Sequence, residues 1–163
     1  MHDVMNKRAL IQKIVAKLTS ELGVYFRAAQ ASRAEATHEQ SKAESKYDTR
    51  GLEASYLARG QSRQAAELEA AIAEFGKLAP RKFDTGEPIS VGAVVELETM
   101  GELSYYFIGP RAGGTEVVQD KKGILVITPH SPLGSQLLEK KQGDRLHLEL
   151  AGRKQSARIL SVH

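Results

Sequence analysis

The stretch Asn6-Lys7-Arg8-Ala9-Leu10-Ile11-Gln12-Lys13-Ile14-Val15-Ala16-Lys17-Leu18-Thr19-Ser20-Glu21-Leu22 opens the part of the chain, running on to Leu78, whose reading decides the fold. Apolar residues return at Leu10, Ile14, Leu18, Leu22 and Tyr25 or Phe26. A second series runs through Leu57, Ala65, Leu68, Ile72, Phe75 and Leu78. Steps of three and four place each series along one side of a 3.6-residue helix. Between them lies Glu44-Ser45-Lys46-Tyr47-Asp48-Thr49-Arg50-Gly51, a polar break holding one glycine. Two antiparallel helices are expected, with Leu10 near Leu78, Leu22 near Leu68 and the turn close to Glu44–Asp48. Arms of roughly 35 residues reach about 50 Å. That length predicts a projecting two-stranded coiled coil with a charged tip.

Working outward, Asn6 is a candidate N-cap, because its side-chain oxygen can take a first-turn amide proton. Past Phe26 the first arm thins into Ala28, Ala29, Ala31, Ala34 and Ala36, which bury little area per turn. Gly60 falls inside the second arm, either as a local flaw, as a bend or as a close approach to the alanines of the first. Ala79-Pro80 ends the helical region, since proline cannot continue the ladder and biases its predecessor away from helix. Phe83–Pro88 is a turn-rich link.

Beyond it the texture becomes β-type. Candidate strands are Val91–Glu98, Tyr105–Ile108, Lys121–Thr128, Arg145–Leu150 and Ser156–Val162, with turns at Met100-Gly101-Glu102 and Ala151-Gly152. Ser131-Pro132 reads as the N-cap and first position of a short helix. The expected class is α+β: a helical hairpin over residues 1–80 and a small antiparallel sheet domain with one short helix over residues 81–163.

The chain has 163 residues with 41% hydrophobic and 26% charged content, which describes a folded protein of one or two domains. It has no cysteine, so disulfides, thiol nucleophiles and thiolate metal sites are excluded. No apolar run reaches the roughly 20 residues that span a bilayer. Met1–Arg8 lacks the apolar block of a signal peptide. A cytoplasmic protein without membrane contact is the expectation. The net charge of +3 is compatible with contact to nucleic acid or to an acidic protein. No helix-turn-helix or finger pattern points to a dedicated duplex-DNA binder.

Glu44, Asp48 and Glu53 fall within the tip. Carboxylates are hard ligands for magnesium, and exposed acids can complete a site to which a partner brings the other ligands. The bland reading is a solvated loop. Lys46 and Arg50 either pair with those acids or contact phosphate, and Tyr47 and Tyr56 either stack on a base or seal the top of the coil. His38 has no second histidine at helical spacing, so it is not a zinc motif.

The run Ile127-Thr128-Pro129-His130-Ser131-Pro132-Leu133-Gly134-Ser135-Gln136-Leu137-Leu138-Glu139-Lys140-Lys141-Gln142-Gly143-Asp144 resembles the C-terminal signature of the Gre transcript-cleavage factors of bacteria. The resemblance extends over the whole chain. It implies a coiled-coil hairpin, an FKBP-like C-terminal domain, and entry of the coil into the secondary channel of RNA polymerase. The implied partners are bacterial RNA polymerase and the 3′ end of its transcript, with the chain acting as a monomer. The implied docking residues are Ser131, Pro132, Leu133, Lys140, Lys141 and Asp144; Lys46, Tyr47, Arg50 and Tyr56 are the candidates for partner contact at the tip. Asp48 and Tyr56 look like the family's tip aspartate and tyrosine, with Glu44 and Glu53 as the nearest acids. Magnesium is expected only inside the polymerase complex, with no cofactor tightly bound. Three residues after Asp48, where the cleavage factors carry a glutamate, position 51 is glycine. Two outcomes therefore stand side by side: stimulation of cleavage in backtracked complexes, and occupation of the channel without cleavage. Isomerase activity is a remote third, since fold alone confers none.

Overall fold

The computed structural model describes residues 5–39 and 59–163. Two helices come first, α1 (Lys7–Glu39, 33 residues) and α2 (Arg59–Lys77, 19 residues). Asn6 caps α1, its Oδ1 accepting from the Ala9 amide at 3.0 Å. The turn expected near Glu44–Asp48 lies outside the described residues. The chain divides into two compact units, Met1–Val15 with Ala73–His163, and Ala16–Ile72.

Within the unit Ala16–Ile72, burial follows the helical period. Leu18 and Ala29 on α1 and Ala65 and Ala71 on α2 are buried, while Leu22, Leu68 and Ile72 are half-buried. Alanine therefore supplies much of the buried stripe, as the thinning of large apolar residues implies. Among the described residues nothing lies within 4 Å of where a Cβ on Gly60 would stand.

The other unit holds a six-stranded sheet. In chain order the strands are β1 (Val94–Thr99), β2 (Glu102–Ile108), β3 (Glu116–Gln119), β4 (Lys122–Ile127), β5 (Arg145–Leu150) and β6 (Arg153–Val162), with α3 (Pro132–Leu137) between β4 and β5. Their spatial order is β3-β4-β2-β1-β6-β5. Every neighbouring pair is antiparallel except β2 with β4, which run parallel from Tyr105 beside Ile124 to Ile108 beside Ile127. The wholly antiparallel arrangement expected of the sheet is corrected at that pair. The cause is β3, a strand the sequence reading lacks. It folds back on β4 and takes its outer edge, so β4 enters the sheet beside β2 in the same direction.

The sheet buries both faces over part of its width. On one side Val95, Leu97, Ile108, Ile127, Ile159, Leu146 and Leu148 pack with Leu133 and Leu137 of α3 and with Phe83 and Ile89 of the link. Val94, Phe107, Ile124 and Val126 alternate with that set and are also buried. Helix residues of the same unit join them: the Phe75 ring lies 6.1 Å from the Phe107 ring, and Leu10, Ile14 and Phe75 are fully buried. Gly109 makes room there, because a Cβ would stand 2.8 Å from the Phe75 ring and 2.9 Å from a Val126 methyl. Lys13 Nζ donates to the Val118 carbonyl and Gln119 Nε2 to the Asn6 carbonyl, so two polar groups of the outer strand β3 are occupied within the unit, while among the described residues the buried Gln119 Oε1 has no partner.

No helix among the described residues is long and apolar enough to cross a membrane.

Candidate partner-docking site

The short helix α3 is positioned by its own chemistry. Ser131 sits at φ −70° and ψ 155° as N-cap, and Pro132 takes the first helical position, where its missing N–H costs nothing. Ser131 Oγ accepts from the Gly134 amide at 3.0 Å and donates to the Thr128 carbonyl at 2.8 Å. The hydroxyl thus ties the helix start to the end of β4. Gly134 is required by the same closeness: a Cβ would collide with the Thr128 carbonyl oxygen and stand 2.7 Å from Ser131 Oγ.

The helix ends as firmly as it starts. Leu138 donates to the Gly134 carbonyl at 3.1 Å, and Glu139 takes the left-handed conformation at φ 70°. Glu139 donates to the Ile89 carbonyl at 3.0 Å and Ile89 donates to the Lys140 carbonyl at 2.8 Å. This reciprocal pair clamps the segment to the link that precedes β1. Asp144 closes the following turn, its Oδ2 accepting from the Lys141 amide at 2.8 Å while its own amide donates to the Lys141 carbonyl at 3.0 Å. Gly143, at φ 91°, and Asp144 then exchange backbone bonds with Ile159.

These contacts sort the residues anticipated for docking. Leu133 is 8% exposed and belongs to the core, and Asp144 is engaged with its own turn. Ser131 is half-buried and spent on the cap. Pro132, Lys140 and Lys141 are exposed, close in sequence and carried on a clamped backbone. Two ammonium groups on a fixed segment suit an acidic partner surface, and a rigid segment loses little entropy on binding. The remaining anticipated residues, Glu44, Lys46, Tyr47, Asp48, Arg50, Glu53 and Tyr56, lie outside the described residues. Among the described residues, no group of three or more His, Asp or Glu side chains is arranged to hold a metal ion.

One residue with a special environment escaped the sequence reading. Lys7 is 7% exposed, with its Nζ donating to the Arg81 carbonyl at 2.5 Å and the Gly92 carbonyl at 2.6 Å. The ammonium lies 4.5 Å from the centre of the Phe83 ring. Burial, and then the neighbouring Arg81 charge, lower its pKa from 10.5 to about 8. The available signal was its place in the 7, 10, 14, 18 series, where it is the one charged member.

A helical pair joined to a mixed sheet that carries one clamped surface helix defines a hairpin-and-sheet class of protein. The family model described as "Transcription elongation factor, GreA/GreB, C-term" matches residues 84–163. The "Transcription inhibitor protein Gfh1" of Thermus aquaticus is 32% identical over 124 residues, covering 72% of this chain and 72% of that protein. The chain belongs to the GreA/GreB family of transcription elongation factors. Among solved structures, Gfh1 of Thermus aquaticus is 26% identical, with 91% of this chain and 92% of that one covered and a TM-score of 0.41. The GreA factor homolog Gfh1 of Thermus thermophilus is 23% identical, with 95% and 93% covered and a TM-score of 0.39.

Proposed function

We propose that the chain is a regulator of transcription elongation that binds bacterial RNA polymerase and inserts its helical hairpin, residues 6–78, into the secondary channel. Family membership carries this reading. The exposed Pro132, Lys140 and Lys141 dock the sheet domain on an acidic surface of the polymerase. At the tip, Lys46 and Arg50 contact phosphate at the transcript 3′ end, with Tyr47 and Tyr56 beside them. The chain acts as a monomer and holds no cofactor by itself.

Its effect is to restrain the polymerase. Gly51 stands three residues after Asp48, where the cleavage factors that the chain resembles carry a glutamate. The relative from Thermus aquaticus is a transcription inhibitor. The second reading, cleavage of backtracked transcripts, is kept by Asp48 with Glu44 and Glu53, which retain the hard oxygen ligands for the polymerase magnesium site.

The test is a backtracked polymerase carrying labelled transcript and magnesium, with the chain added at saturation. Restraint predicts slower transcript extension and cleavage no faster than without the chain. Stimulated cleavage that disappears in Asp48→Asn, with binding to the polymerase unchanged, would replace restraint by the second reading.

A further inference from the structure

The start of α1 and the segment that follows α2 line an open concavity of about 440 Å³. This is within the size range of small-ligand sites. Its lining includes the cationic side chains of Lys7, Arg8, Arg81 and Lys82, together with Met5, Asn6, Pro80 and His163, the last residue of the sequence; none of these side chains is acidic. All of these residues belong to one compact unit.

The charges are unevenly answered. Arg81 is paired with Glu87, and its guanidinium also lies 4.2 Å from the centre of the Phe83 ring. Lys7 spends two donors on backbone carbonyls, which carry no net charge. Among the described residues, Arg8 and Lys82 enter no ion pair, and both are exposed. Four cations around one concavity repel one another, and the Arg81 charge is one cause of the lowered Lys7 pKa. The amides of Lys7 and Arg8 also stand in the first turn of a 33-residue helix, where they have no intrahelical acceptor. An anion would answer the cations and these amides together. Met5 and Pro80 add apolar wall, so the site suits a phosphate group with an organic body attached as well as a bare diphosphate.

We infer that this cavity is a binding site for a small phosphate-bearing anion, a diphosphate or a nucleoside polyphosphate, held by Lys7, Arg8, Arg81 and Lys82. The site shares no residue with the segment proposed to dock or with the expected tip, so it stands independently of the polymerase reading.

The test uses the full chain without polymerase. Inorganic pyrophosphate, a ribonucleoside triphosphate, sulfate and a short single-stranded RNA are titrated in turn near physiological salt, with binding followed by calorimetry and by backbone amide shifts. The expected result is saturable binding of pyrophosphate or the nucleotide with a Kd below about 1 mM, with shifts centred on residues 5–8 and 80–82. Tighter binding of the nucleotide identifies an organic phosphate as the ligand, and equal binding identifies the diphosphate group alone; either outcome supports the site. The double variant R8A/K82A changes two exposed side chains and should keep the fold while weakening binding at least about tenfold. Lys7→Met is a less clean probe, because it leaves two buried carbonyls unpaired. Three results would overturn the inference: no saturation, a response to sulfate equal to that for pyrophosphate, or binding that R8A/K82A leaves intact. RNA binding that is tighter than either small phosphate and equally sensitive to the variant would overturn it too, in favour of a nucleic-acid surface.

Discussion

Gly134 concentrates the local constraints of the sheet domain into one position. Its amide completes the Ser131 cap, its carbonyl receives Leu138, and the space above its Cα is filled by the Thr128 carbonyl. Gly134→Ala must push β4 and α3 apart, and the expected cost is at least about 3 kcal/mol of stability, read from chemical denaturation. Alanine tolerated within about 1 kcal/mol would mean that Thr128 relaxes freely and that the clamp is loose. Lys7 gives the second residue-scale prediction, through pH. Its pKa is about 8 in the folded chain against an ordinary 10.5. Between those values the unfolded chain binds more protons at this position than the native one, so native stability gains as pH rises. Below pH 8 both forms are protonated and the dependence from this residue flattens. Denaturation midpoints collected from pH 7 to 10.5 should therefore show an upward contribution above pH 8 that is absent in Lys7→Met. A variant with the same pH profile as the wild type would remove Lys7 as its source.

At the scale of elements, helix and strand differ in how local their causes are. α2 carries Gly76 on an exposed surface, with nothing among the described residues within 4 Å of a prospective Cβ. Gly76→Ala should stabilise the protein by about 0.5–1 kcal/mol, measured as a shift in the denaturation midpoint without a change in its slope. A destabilised variant would show that Gly76 serves some contact absent from this structure. The two long helices were legible in the sequence because a 3.6-residue spacing is written into neighbouring residues. So were Asn6 as a cap and the Ser131-Pro132 start of α3, which follow from side-chain chemistry within one turn. Strand β3 was not legible. It spans only Glu116–Gln119, and its tight turn into β4 uses Asp120 and Lys121, both at positive φ, where glycine or asparagine would have announced a hairpin. The parallel pairing of β2 with β4 follows from that missing strand. Of the site, the cap could be read locally, but the burial of Leu133 and the Ile89 clamp depend on contacts between distant segments that no spacing encodes.

For the whole molecule, the division of labour follows from what each part can hold still. The segment proposed to dock is fixed at both ends by hydrogen bonds to Thr128, Ile89 and Ile159, so Lys140 and Lys141 present charge from a rigid base. The long helices offer reach, with α1 alone spanning about 50 Å at 33 residues. On the proposed reading, the chain acts through a larger partner. The most direct test of that claim is the affinity of the full chain for bacterial core RNA polymerase, compared with that of K140E/K141E, both measured near physiological salt. Both side chains are exposed, so the variant should fold with unchanged stability. The prediction is tight binding by the wild type and a loss of at least about tenfold in the variant, because two attractive contacts become repulsive at an acidic surface. Absence of wild-type binding would contradict the account, and binding undiminished in K140E/K141E would show that the segment around α3 is not where the polymerase is held.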